Sequence, residues 1–92
     1  MFTYLISYDL GVPETSELYK ILIKKIKSFG AWAKPLKSVF LIKTDKTTGN
    51  IRDELTALVD SNDRILVVDV TKAGWATFDV PKEVNEWMKN NL

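Results

Sequence analysis

The chain has 92 residues, 46% of them hydrophobic and 27% charged, with a net charge of +1. That is the balance of one small globular domain, and no apolar run approaches the roughly 20 residues needed to span a bilayer. Cysteine and histidine are both absent, which removes disulfides, thiolate and imidazole metal sites, and every Ser–His or Cys–His nucleophile. Carboxylates, hydroxyls, lysines or a hard cation held by oxygen are the chemistry left.

The first element, Phe2 to Leu10 (FTYLISYDL), is rich in aromatic and branched residues and predicts a strand. It ends on an acid, Asp9, which either shapes a turn or marks a site. GVPETS follows as a turn, with Thr15 or Ser16 placed to cap a helix. This succession of acid and turn formers is not a signal-peptide pattern, and the expected location is cytoplasmic. Leu18, Leu22, Ile26 and Phe29 then recur at helical spacing, with Lys20, Lys24 and Lys27 on another face and Gly30 as the expected C-cap. AWAKPL predicts a short strand and a turn near Pro35. SVFLIKT predicts a third strand, KTTGN a loop, and Asn50 the cap of a second helix whose stripe is Ile51, Leu55, Leu58 and Val59. SND is a turn before RILVVDV, a strand apolar on both faces. In the tail, AGWATF predicts a short strand and PKEVNEWMKNNL a helix with Pro81 near its first turn. The inward face of that helix is Val84, Trp87 and Met88.

Strand, helix, strand, strand, helix, strand is the split-βαβ, ferredoxin-like α+β plan: an antiparallel sheet with two helices on one face. The whole chain is expected to be one such domain, with a core over about 2–71 and a C-terminal helical extension over about 72–92. In that plan the first strand lies between the third and the fourth. Asp9, Ser38 and the Asp63–Arg64 turn should therefore gather at one edge of the sheet.

The same residues resemble a known family. YLISYDL is similar to the first strand of the CRISPR-associated protein 2 superfamily, which also includes the VapD-type toxins, and SVFLIK to its Ser-Val-Phe strand. GAWAK, SVFLIKTD and DSND together resemble the small SinR-like group of that superfamily most closely. The resemblance implies a homodimer in which the strand-end aspartates of two copies face each other, share a divalent metal (Mg²⁺ or Mn²⁺) and support nuclease activity on DNA or RNA. By position, Asp9 is then the metal ligand and catalytic carboxylate, with Tyr8, Ser38 and Arg64 as supporting neighbours. Members of the family also act as non-catalytic dimeric scaffolds for nucleic acid and a protein partner, and a toxin-like regulatory role is a third form. The tail departs from the family pattern: AGWATF and a terminal helix stand where a final strand is usual.

Each of these residues also has a plainer reading. Asp9 and Asp63 can be turn acids. Tyr8 alternates with Tyr4 and Ile6 along one face and packs. Ser38 can bond a nearby backbone group, and Asp69 can sit on an edge or in an ion pair. From Leu18 to Thr44 the charged residues are all lysines: Lys20, Lys24, Lys25, Lys27, Lys34, Lys37 and Lys43. They form a solvated face, or Lys20, Lys24, Lys27, Lys34 and Lys37 track a phosphate backbone while Trp32 stacks on a base. Trp32, Trp75 and Trp87 are otherwise core or interface residues.

Overall fold

The computed structural model describes residues 1–92. The elements run β1 (Phe2–Asp9), α1 (Glu17–Lys27), β2 (Ala31–Leu36), β3 (Val39–Thr44), α2 (Thr48–Thr56), β4 (Arg64–Asp69) and α3 (Lys82–Asn91). The strands form one antiparallel sheet in the order β2-β3-β1-β4. This is the ferredoxin-like arrangement expected from the element order, with β1 central and β2 and β4 at the edges.

Alternation along β1 divides the molecule into two layers of core. Tyr4, Ile6, Tyr8 and Leu10 point toward α1 and α2, where they join Tyr19, Leu22, Ile26, Phe40, Ile42, Ile51 and Leu55 in the main core. Tyr19 belongs to the buried stripe although the sequence reading left it out. The spacing Tyr19, Leu22, Ile26 is itself helical and would have found it. Leu5 lies on the other side of the sheet, where Ala33 and Leu41 meet Val84 and Met88 of α3. The terminal helix is thus a third layer over the β2–β3 half of the second face, with its inward residues as expected. It leaves Leu66 at 57% and Val68 at 39% exposure on the β4 half.

Several local expectations shift. Pro35 lies inside β2, whose pairing with β3 is irregular between Ala33 and Leu36; an edge strand tolerates a residue with no N–H to donate. The second helix is capped by Thr47, whose hydroxyl accepts from Asn50 N–H at 3.1 Å, so Asn50 is a recipient and not the cap. Helix α1 ends at Lys27 with Ser28 as C-cap. Gly30 is instead needed because a side chain there would collide with the Lys43 carbonyl across the β2–β3 pair. Ser16 is the N-cap residue of α1 but its hydroxyl makes no capping bond. AGWATF forms no strand and crosses the surface as irregular chain before α3. No helix is long and apolar enough to cross a membrane.

Candidate functional site

Antiparallel register gathers the strand-end residues. Asp9 pairs directly with Arg64, Ser7 pairs with Val39, and Ser38 adjoins that pair. Asp9 is exposed and lies on the face opposite α1 and α2, because it alternates with Leu5 and Ser7. Its carboxylate makes no ion pair or hydrogen bond, even with Arg64 across the ladder. The Ser38 carbonyl accepts from the Ser7 hydroxyl at 3.1 Å and from Tyr8 N–H at 3.4 Å.

Asp63 reaches the same corner, but both its oxygens are engaged. One accepts from Gly11 N–H at 2.7 Å and the other from Asp60 N–H at 2.8 Å. It is the turn former of the plainer reading, stitching the end of β1 to the start of β4. Asp69 also serves the backbone: its carboxylate accepts the Thr71 hydroxyl at 2.6 Å and the Thr71 N–H at 2.9 Å. These bonds, the hydroxyl's first, hold its pKa below the ordinary carboxylate range. Asp9 is therefore a free carboxylate at this edge, and no cluster of three or more acidic side chains forms a cage for a cation. A divalent ion there would need Asp9 from a second copy and water to complete its shell.

Tyr8 is buried, at 5% exposure, beside Tyr19 and Phe40. Its hydroxyl has no hydrogen-bond partner, and burial first, then Tyr19 and Glu14, push its pKa up. It stands on the face away from Asp9, so the two neighbours in sequence do not share a site. Tyr8 lines instead a pocket of about 130 Å³ with Glu14, Tyr19, Lys34, Lys37 and Ser38.

The lysine window splits into two kinds of residue. Lys20 pairs with Glu17 at 3.2 Å, Lys37 with Glu14 at 2.9 Å, and Lys25 with Glu54 at 3.3 Å. Glu54 also holds Lys46 at 2.9 Å and so ties α1 to the β3–α2 loop. Hydrogen bonds from Lys46 and then Lys25 lower its pKa. Lys24, Lys27, Lys34 and Lys43 have no acidic partner. Lys27 Nζ lies 4.4 Å from the centre of the Trp32 ring, and Lys34 Nζ lies 5.4 Å from that of Phe40. Trp32 packs its indole against Phe40 at 5.7 Å, yet 40% of it remains exposed. The structure thus brings Lys27, Lys34 and Trp32 together at the β2 edge, and leaves Lys20 and Lys24 on the outer face of α1.

No protein-family model matches the chain. Among solved structures, the fold is similar to a hypothetical protein, TT1823, from Thermus thermophilus, with a TM-score of 0.67 and 20% sequence identity over 87% of this chain and 94% of that one. At that identity the likeness is one of fold.

Proposed function

We propose that this chain is a homodimeric, nucleic-acid-linked protein of the CRISPR-associated protein 2 type, in which Asp9 is a weak or vestigial metal-dependent phosphodiesterase position. The observation that carries the reading is the pair of unpartnered ammonium groups, Lys27 and Lys34, beside an exposed indole. Free cations next to an aromatic surface suit a polyanion that also carries planar rings. The ion-paired Lys20 and Lys37 are weaker phosphate partners, because Glu17 and Glu14 must first be displaced.

Binding is better supported than catalysis. Asp9 is accessible and free, but a hydrolytic site needs it twice, with Mg²⁺ or Mn²⁺ between two copies to activate water. Tyr8 faces the core, Ser38 offers its carbonyl inward, and Arg64 is the one supporting side chain on the Asp9 face. A protein-binding scaffold is the second reading, favoured by the exposed apolar residues Leu36, Leu66 and Phe78.

The test pairs binding with cleavage. Labelled single-stranded DNA and RNA are titrated at several salt concentrations against wild type and Lys27→Glu/Lys34→Glu. Affinity should fall steeply with salt through counterion release, and more steeply for wild type than for the variant. Cleavage is followed with Mn²⁺, with chelator, and in Asp9→Asn. Activity that needs both the metal and Asp9 marks a working site. Salt-dependent binding with no cleavage marks an inherited one, and absence of binding at low salt removes the nucleic-acid reading.

A further inference from the structure

We infer that the cleft between β2 and α3 is a base-stacking subsite for single-stranded nucleic acid, an inference that rests on the nucleic-acid reading above. The cleft measures about 440 Å³ and is walled by Trp32 and Lys34 of β2 and by Pro81, Glu83 and Trp87 around the start and middle of α3. It brings together two indoles distant in sequence, and each is already held by the fold. Trp32 is anchored edge-on to Phe40 in the main core, and Trp87 packs against the second core. Aromatic surfaces fixed before binding lose little entropy when a ligand arrives.

Charge gives the cleft a direction. Lys27 covers part of the Trp32 ring and Lys34 lines the same side, both without acidic partners. Glu83 is the acidic group on the α3 side. A nucleotide satisfies both ends when its base lies against the indoles, its phosphate meets Lys27 and Lys34, and an amino group on the base edge donates to Glu83. Lys34 also lines the smaller pocket shared with Tyr8, Lys37 and Ser38, so the basic side of the cleft continues toward the end of β1. A duplex buries its base faces and cannot use the indoles. Thymine lacks the amino donor that cytosine offers to a carboxylate.

The experiment uses full-length protein carrying Trp75→Phe, in which both remaining tryptophans belong to the cleft. Oligocytidylate, oligothymidylate and a duplex of the same length are titrated while indole emission is followed. Affinity is measured separately by anisotropy of labelled oligonucleotide on wild type and on Trp87→Leu, Lys34→Gln, Glu83→Gln, Trp32→Leu and Trp32→Phe. The expected result is saturable quenching by single strands, tighter for oligocytidylate, with little by duplex. Trp87→Leu should weaken binding about tenfold, Glu83→Gln should erase the preference for oligocytidylate, and Trp32→Phe should bind better than Trp32→Leu. Thermal melts of each variant separate lost binding from lost folding. Oligonucleotide binding that leaves emission unchanged and is insensitive to Trp87 and Lys34 overturns the cleft while the nucleic-acid reading stands. Binding of duplex as tightly as single strand also overturns it, and failure of every oligonucleotide to bind at low salt overturns both.

Discussion

The buried tyrosines show how much one hydroxyl depends on its surroundings. Tyr4 donates to the Lys46 carbonyl at 2.6 Å, whereas Tyr8, four residues on along the same face, has no partner. A satisfied buried hydroxyl stabilises and an unsatisfied one costs its desolvation. Tyr4→Phe should therefore lose about 1 kcal/mol, and Tyr8→Phe should be neutral or gain about 1 kcal/mol, in urea unfolding at neutral pH. A loss at Tyr8 matching that at Tyr4 would mean its hydroxyl is used. The sequence marked Tyr8 as a packing residue through its alternation with Tyr4 and Ile6, but alternation carries no information on whether an acceptor lies in reach. Glu54 shows the complementary case for charge. Its pKa is lowered by Lys46 and Lys25, so its ionised form stabilises the folded state above its ordinary pKa, and that contribution disappears as pH falls through the depressed value. Wild type should melt above Glu54→Gln at neutral pH, and the gap should close in acid. A gap independent of pH would assign the effect to packing. This residue was not legible beforehand, because its partners come from α1 and from the loop before α2.

At the level of elements, sequence patterns succeeded where a segment carried its own periodicity. β1 and the stripes of α1, α2 and α3 announce themselves through spacing of two or of three to four, and β3 and β4 through short runs of branched and aromatic residues. Punctuation was harder, because several residues in KTTGN could accept the first N–H groups of α2. The choice fell to Thr47 because its extended backbone turns the hydroxyl back toward Asn50 N–H. Thr47→Ala should cost about 1 kcal/mol, seen as a melting temperature about 4–8 °C lower for a domain of this size. Asn50→Ala, which keeps the donating N–H, should cost less; the reverse order would restore Asn50 as the cap. AGWATF pairs with neither edge of the sheet and runs as irregular chain near Pro35 and Leu36 of β2. The segment is instead tied at its start by Ala73 N–H, which donates to the Val70 carbonyl at 2.9 Å, and near its end by the Thr77 hydroxyl, which bonds Asn85 of α3 at 2.5 Å.

On the scale of the molecule, the two-layer plan was readable and the third layer was not. Apolar residues on both faces of the strands argued for a partner over the second face, but α3 takes the β2–β3 half of that role within the chain. What stays open is Leu66 and Val68 on β4, with Asp9 and Arg64 at the end of the same face, and Phe78 at 94% exposure in the connector. The homodimer proposed above would use that remaining half, where docking of two copies would bring both Asp9 carboxylates to one interface. Light scattering at micromolar concentration should then report about twice the chain mass, as for a two-fold dimer. Leu66→Lys should return the monomer without lowering its stability, since the side chain is largely in solvent. A monomeric wild type would remove any site shared between copies. The corner itself was legible: the order of strands alone brings Asp9 to Arg64. The occupation of Asp63 was not, because it depends on the position of two backbone N–H groups.

The attachment of α3 has a consequence for how the molecule breathes. The helix is fastened by a small cluster around Ala33, Leu41, Val84 and Met88 and by the Thr3 hydroxyl, which donates to the Asn91 carbonyl, while the main core holds the rest. Its connector forms no ladder with the sheet beyond Val70, whose N–H reaches Thr3 O at 2.8 Å. Detaching α3 therefore exposes less apolar surface than unfolding the sheet, and its amides should exchange with deuterium through a separate, cheaper opening. Because α3 carries one wall of the tryptophan cleft, any ligand seated there binds the closed form alone and must slow that exchange as its concentration rises past Kd. Hydrogen exchange followed across α3 and β1, with and without oligocytidylate, reads both quantities at once. Protection of α3 that starts below that of β1 without ligand and rises as ligand passes Kd would locate the ligand and the opening on the same hinge; β1, which opens only with the whole fold, should start higher and rise by the same factor.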